Sequence, residues 1–218
     1  MYSPFVYRGS KQQKKSLLKV IGEGSVTIEP NLAQLTLGVL TEDPFLTHAQ
    51  EQNAATMTKI NEALHSIGIK NKDVQTIDYS VQPIYDFVDG KQMFRSYRVE
   101  HLIRVTIEQI ENVGLVVDRA VSEGANRVLR LDFSVADLTS SEEKALSQAI
   151  LNAHAKAEAI AKTLKVRLAT IPTTVTEIPR QPNGAIPFET ATLLKSSTSI
   201  QPGILEVRKT VSVKYDYV

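Results

Sequence analysis

Alternating apolar and polar positions open the most regular part of this chain. Val20, Gly22, Gly24, Val26 and Ile28 alternate with the residues between them. After Pro30-Asn31, the run over 33–39 alternates in the same way. Two period-2 runs separated by a turn signal are typical of an antiparallel hairpin with one face on a core. The pattern therefore predicts that these two strands pair with each other.

Later runs predict helices that alternate with strands. The predicted helices cover about 43–66, 110–122 and 140–165, and the predicted strands cover 74–85, 97–107, 127–136, 169–178 and 205–217. This order favours an α/β (α+β) fold with a mixed, largely antiparallel sheet and helices packed on one face. The order over 46–85 echoes the order over 141–178, which suggests two related β-α-β units.

The longest predicted helix carries a ridge of small side chains beside its apolar stripe. The ridge repeats every four residues and consists of Ala145, Ala149, Ala153, Ala157 and Ala161. Methyl groups at this spacing let another backbone approach to near the lower end of the ~8–10 Å range of helix packing. The ridge predicts close packing on its own sheet or sister helix, or else a contact between protomers.

The stretch over 179–203 has no clear period. Several prolines and a glycine punctuate it, and Ile186 and Phe188 supply apolar anchors. A connection of this length without secondary structure is commonly functional or disordered. We interpret it either as an arm that docks on a neighbour, with Ile186 and Phe188 as assembly contacts, or as disordered chain.

An ordered series of motifs resembles the SIMPL domain family. The pattern V-x-G-x-G-x-V-x-I-x-P-N-x-A-x-L-x-x-G-V lies at 20–39, and the likeness continues through 73–76 and 124–126 to 207–215. The resemblance covers about residues 19 to 217, with Asn31 where the family more often has Asp. It implies a bacterial domain of poorly defined function, some of whose relatives are periplasmic or outer-membrane immunogenic proteins. It also implies multimers, ring-like or channel-like in some relatives, links to stress tolerance in others, and protein binding in a kinase-associated member.

Composition narrows the classes of function. The chain has 218 residues, no cysteine and a formal net charge of +1, so it lacks thiolate chemistry and a global field that would attract nucleic acid. We expect a flexible basic tail over 1–18 and a single domain over 19–218. In the tail, Lys11, Lys14 and Lys15 would contact an anionic membrane surface only weakly, and no aromatic residues between them would stack on bases.

Location and membrane insertion are also read from the chain. No apolar run approaches the ~20 residues that span a bilayer. The first residues contain no apolar segment typical of a secretory leader. The sequence therefore predicts a cytoplasmic protein without a transmembrane segment.

No catalytic constellation stands out. Gly22-Glu23-Gly24 lies within a predicted strand and has no helix after it to face a phosphate, so no cofactor is expected. The pairs His48/Glu51 and His154/Glu158 supply only two ligands each, and a metal site needs three or four. His101 falls on the apolar side of its strand and is the weak candidate for a pocket, with a hydrogen-bonded core histidine as the alternative.

These observations favour a non-enzymatic protein that assembles with itself. The alternative is a module that binds a protein or peptide through its sheet face or the 179–203 stretch. A third hypothesis is an enzyme whose site the sequence does not reveal, centred on His101.

Overall fold

The computed structural model describes residues 16–179, 186–188 and 200–218. It confirms the α/β class. The predicted tail over 1–18 lies almost entirely outside the described residues, as do 180–185 and 189–199 of the 179–203 stretch. The elements in chain order are β1 (Ser16–Ile28), β2 (Leu32–Asp43), α1 (Leu46–Ser66), β3 (Val74–Val88), β4 (Lys91–Ile107), α2 (Val113–Ser122), β5 (Arg127–Ser134), α3 (Thr139–Leu164), β6 (Thr174–Glu177), β7 (Ile186–Phe188) and β8 (Ile204–Tyr217).

The chain forms two compact units. The first contains most of β1 and β8 together with α3 and β6, and the second contains β2 to β5 with α1 and α2. One sheet has the order β1-β8-β6, with β7 also beside β8, and the other has the order β3-β4-β2-β5. The single domain expected over 19–218 stays a prediction.

The predicted pairing of the first two strands is wrong. β1 lies beside β8, whereas β2 lies between β4 and β5, so the two strands belong to different sheets. Asn31 does not close a tight turn but binds the end of β5 and the residues after it: its N–H donates to Ser134 O (3.1 Å), and its Oδ1 accepts from the Ala136 N–H (2.9 Å). Period-2 alternation shows that a strand is buried on one face, but it does not name the partner strand.

In the second unit, α1 and α2 pack on one face of the β3-β4-β2-β5 sheet. The inward positions of β2 and β4 alternate along each strand, and the helices add their apolar stripes to the same core. Its fully buried members include Leu35, Leu37, Val105, Ile60, Leu64 and Val116. This packing fixes β3 as one edge of the sheet, with only β4 as its neighbour among the described strands.

In the first unit, α3 packs on the face of β8 that the alternation predicts. Val211, Val213 and Tyr215 are buried against the alanines of α3. Lys209 also points to this side, and its Nζ lies 3.1 Å from Glu177 Oε1 and 3.4 Å from Glu142 Oε1. The hydrogen bond to Glu177 is the main reason that the pKa of Lys209 is raised.

Candidate functional site

A two-stranded ribbon extends beyond the sheet of the second unit. β2 ends at Asp43, which lies opposite Tyr97 of β4. β3 and β4 continue to pair past this row as far as Val88 and Lys91. Residues 83–97 therefore form a ribbon with no third strand from the described part of the chain. Because an isolated two-stranded hairpin is marginally stable in water, contacts along its faces matter.

A two-residue turn closes the ribbon. Asp89 has a φ of 50° and Gly90 a φ of 73°, and a type I′ turn requires positive φ at both central residues. The strand predicted to begin at residue 97 therefore begins at Lys91. The Asp-Gly dipeptide between two strand-like runs is the signal from which the sequence could reveal this ribbon.

One face of the ribbon is uncharged and rich in aromatic residues. Opposed side chains in an antiparallel pair share a face, and successive residues along a strand alternate between faces. We call the face made by the following cross-strand pairs the aromatic face: Tyr79–His101, Val81–Val99, Pro83–Tyr97, Tyr85–Phe94 and Phe87–Gln92. None of these positions holds Asp, Glu, Lys or Arg.

The aromatic face is largely open to solvent. Phe87 is 76% exposed, Tyr79 50% and Phe94 46%. The rings still contact each other, since the centroid of Phe94 lies 5.9 Å from that of Tyr85 and 5.0 Å from that of Tyr97. Such ring pairs contribute about 0.5–1.5 kcal/mol each beyond burial, so they hold the ladder in one arrangement. A contiguous exposed apolar surface of this kind marks an interaction site.

The opposite face of the ribbon carries its charges. Arg95 Nη2 donates to Glu42 Oε2 (2.9 Å), and Arg98 Nε donates to Glu42 Oε1 (2.7 Å). Arg95 also pairs with Asp86 (3.4 Å). The hydrogen bonds from Arg98 and then Arg95 hold the pKa of Glu42 below its ordinary 4.5. The ribbon therefore separates charged from apolar groups across its two faces.

His101 lies at the sheet end of the aromatic face. Its ring packs edge-on against Tyr79, with centroids 5.4 Å apart, and its Nε2 lies 3.1 Å from Thr76 Oγ1. The side chain is partly buried rather than enclosed in the core, because its neighbour β3 is an edge strand. Burial lowers the pKa of His101 below 6.5, so the imidazole is neutral at pH 7 and adds no charge to the aromatic face.

Asn53 lies where α1 meets the sheet. It is 1% exposed, and its Nδ2 donates to Val39 O (3.1 Å) and Val99 O (3.2 Å). These bonds join α1 to β2 and β4. The residue therefore does structural work at the base of the ribbon.

The alanine ridge lies inside the first unit. Each of its five alanines is at most 4% exposed. A Cβ placed on Gly22 would lie 2.0 Å from Ala149 O, and one placed on Gly24 would lie 2.2 Å from Ala145 O. Only glycine fits in β1 at this distance. The ridge therefore packs on its own sheet and offers no open surface to the helix of a second protomer.

Side chains of α3 also occupy the backbone of β1. Asn152 Oδ1 accepts from the Glu23 N–H (3.2 Å), and Lys156 Nζ donates to Ile21 O (2.9 Å). These backbone groups are then not free to pair with another strand. α3 thereby protects an edge strand that would otherwise be open to association.

The histidines proposed as metal ligands have other neighbours. His154 Nδ1 lies 3.0 Å from Tyr215 OH and its Nε2 lies 3.4 Å from Glu158 Oε1, while His48 Nδ1 lies 3.8 Å from Asp43 Oδ1. Burial raises the pKa of Tyr215. Over the described ranges, no group of three or more His, Cys, Asp and Glu side chains is placed to hold a metal ion.

The remaining predicted contacts are only partly described. Ile186 and Phe188 lie in β7, which pairs with β8 through Pro187 and Leu205. Lys11, Lys14 and Lys15 lie outside the described residues. In 16–179 and 200–218, every helix is too short or too polar to cross a membrane.

The second unit also contains a cavity of about 270 Å³ between the end of α1, the end of β4 and the start of α2. Lys70, Asp73 and Glu108 are among its lining residues. The lining contains no Ser, Cys or His, so it offers no histidine base beside a serine or cysteine nucleophile. His101 is not part of it.

Comparison with known proteins identifies relatives of this chain. The sequence profile of SIMPL, described as "Protein of unknown function (DUF541)", matches residues 18–215. The 26 kDa periplasmic immunogenic protein of Brucella melitensis is 29% identical over 183 residues, which cover 82% of this chain and 73% of that protein. The uncharacterised protein YggE of Escherichia coli K12 is 28% identical over 140 residues, which cover 64% of this chain and 57% of that protein.

These relatives overturn the predicted cytoplasmic location. Two Brucella proteins that match most of this chain are named periplasmic. The prediction depended on the missing apolar leader alone, and the first residues of this sequence are no guide to its compartment. The absence of cysteine is compatible with either side of the inner membrane.

Proposed function

We propose that this chain, which belongs to the SIMPL family, is a non-enzymatic periplasmic protein that assembles with itself. The observation that carries the proposal is the aromatic face of the β3–β4 ribbon. It exposes Tyr79, Tyr85, Phe87 and Phe94 on one side of a ribbon without a third strand. Covering this face removes apolar area from water at about 25 cal/mol per Å² and supports a hairpin that is weak alone.

The relatives support the location in this proposal. The names of the Brucella proteins place them in the periplasm, and we extend that location to this chain. A link to stress tolerance, which the family resemblance implies, stays a prediction.

The mass of the purified protein in solution tests self-assembly. Light scattering coupled to gel filtration over a dilution series should give a discrete multiple of the 24.1 kDa chain mass. The multiple should fall towards the chain mass only at high dilution. A mass of one chain at every concentration would contradict the proposal and would favour a different protein as the partner.

A further inference from the structure

We infer that the aromatic face docks on the aromatic face of a second copy of this chain, with the two ribbons antiparallel about a two-fold axis. The inference rests on the proposed self-assembly and specifies its surface. The central row of the ribbon is Tyr85–Phe94, between Pro83–Tyr97 and Phe87–Gln92. That row therefore lies closest to the axis.

Charge is the first argument for a second copy. In a two-fold contact each group meets the same surface on its partner, so a charged face would repel itself. The aromatic face contains no Asp, Glu, Lys or Arg, and the charges of the ribbon lie behind it in the pairs of Glu42 with Arg95 and Arg98. An uncharged aromatic surface is complementary to itself.

Area is the second argument. The aromatic and aliphatic side chains of the face range from 38% exposed at Val81 to 76% at Phe87. With aromatic side chains of about 150–250 Å² each, one face offers on the order of 500 Å². Two faces together offer about 1,000 Å², which reaches the lower limit for a specific interface.

The shape of the patch is the third argument. The aromatic face runs along the ribbon from Tyr79 to Phe87 instead of crowning its tip. The tip itself is the Asp89-Gly90 turn, which an anionic bilayer would repel. A lengthwise stripe fits another stripe of the same length.

Cysteine crosslinking tests the contact, because the natural chain has no cysteine. Phe94→Cys and Met93→Cys place a thiol on adjacent residues of opposite faces with similar exposure, 46% and 56%. Packed sheets lie about 10 Å apart, so the reagent is a bis-maleimide with a spacer of about that length. We expect a covalent dimer from Phe94→Cys and none from Met93→Cys; equal crosslinking of both, or of neither, would overturn the arrangement.

A pair of double variants tests the energetics. Phe87→Ser with Phe94→Ser removes two exposed rings of the aromatic face, and Val88→Ser with Met93→Ser makes a matched change on the opposite face. Aromatic residues at the centre of an interface commonly change affinity by about thirtyfold or more. We expect a shift of that size in the concentration for half-assembly with the first variant, and less than about threefold with the second.

Circular dichroism and the wild-type mass keep the outcomes separate. All four side chains are exposed, so both double variants should retain the wild-type spectrum. A multimeric wild type whose mass the Phe87/Phe94 variant leaves unchanged would overturn this interface while self-assembly stands. A wild type that is monomeric throughout would overturn both.

Discussion

Two strand edges of this protein meet opposite fates. β1 is covered within its own chain: α3 lies against Gly22 and Gly24, and Asn152 and Lys156 bind its backbone. The β3–β4 ribbon has no comparable cover from the described residues, and its aromatic side chains remain in water. An edge that is closed internally stabilises the fold, whereas an exposed apolar ribbon is a surface for a partner.

The difference also separates two kinds of apolar surface. At β1 the contact depends on the absence of side chains, because glycine lets the helix backbone touch the strand. On the ribbon it depends on large rings that project outwards. The first surface cannot bind a second copy without unfolding, but the second can bind one without rearrangement.

The largest effect that we expect comes from Gly22→Val. The new Cβ would lie 2.0 Å from Ala149 O, and since this neighbour is backbone it cannot move aside. We expect a loss of about 3 kcal/mol or more in the free energy of unfolding, measured in urea. Ser25→Val, at an exposed position of the same strand, is the control and should change stability little. A fully stable Gly22→Val protein would show that α3 does not lie against β1.

A smaller effect concerns the pH dependence of assembly. Burial lowers the pKa of His101 below the ordinary 6.5, so the stability it contributes is present above that pH and is lost as the pH falls through the lowered pKa. Protonation would place a charge beside Tyr79 on both copies. We therefore expect half-assembly to need a higher protein concentration at about pH 5.5 than at about pH 7.5.

His101→Gln is the control for this pH effect. It keeps a polar side chain opposite Tyr79 but removes the titration. Its assembly should vary less with pH than that of the wild-type chain. An equal pH dependence in both proteins would assign the effect to other groups.

Much of the fold could be predicted from the sequence, but the partners of its strands could not. The period of the apolar positions gives α1 and α3 nearly at their observed bounds, and the alternation in β8 gives its buried face. The same alternation led to a wrong hairpin, because β1 and β2 are both half-buried and yet belong to different sheets. Pairing depends on long-range contacts such as those of Asn31 with Ser134 and Ala136.

The candidate site was only partly accessible from the sequence. The shared face of Tyr79, Val81 and Tyr85 follows from alternation, but their exposure depends on where β2 ends, at Asp43. The alanine ridge attracted the assembly hypothesis because small residues at four-residue spacing suit internal packing and protomer contacts equally. Its glycine partners on β1 decide between the two, and they lie more than a hundred residues away in the chain.

Hydrogen exchange at two protein concentrations, read by mass spectrometry, tests the central contrast most directly. The account predicts that peptides from β1 and α3 exchange at the same rate at both concentrations, because their contact is made within one chain. Peptides covering residues 79–99 should exchange more slowly at the higher concentration. Slower exchange in β1 and α3, with no change in the ribbon, would contradict the account.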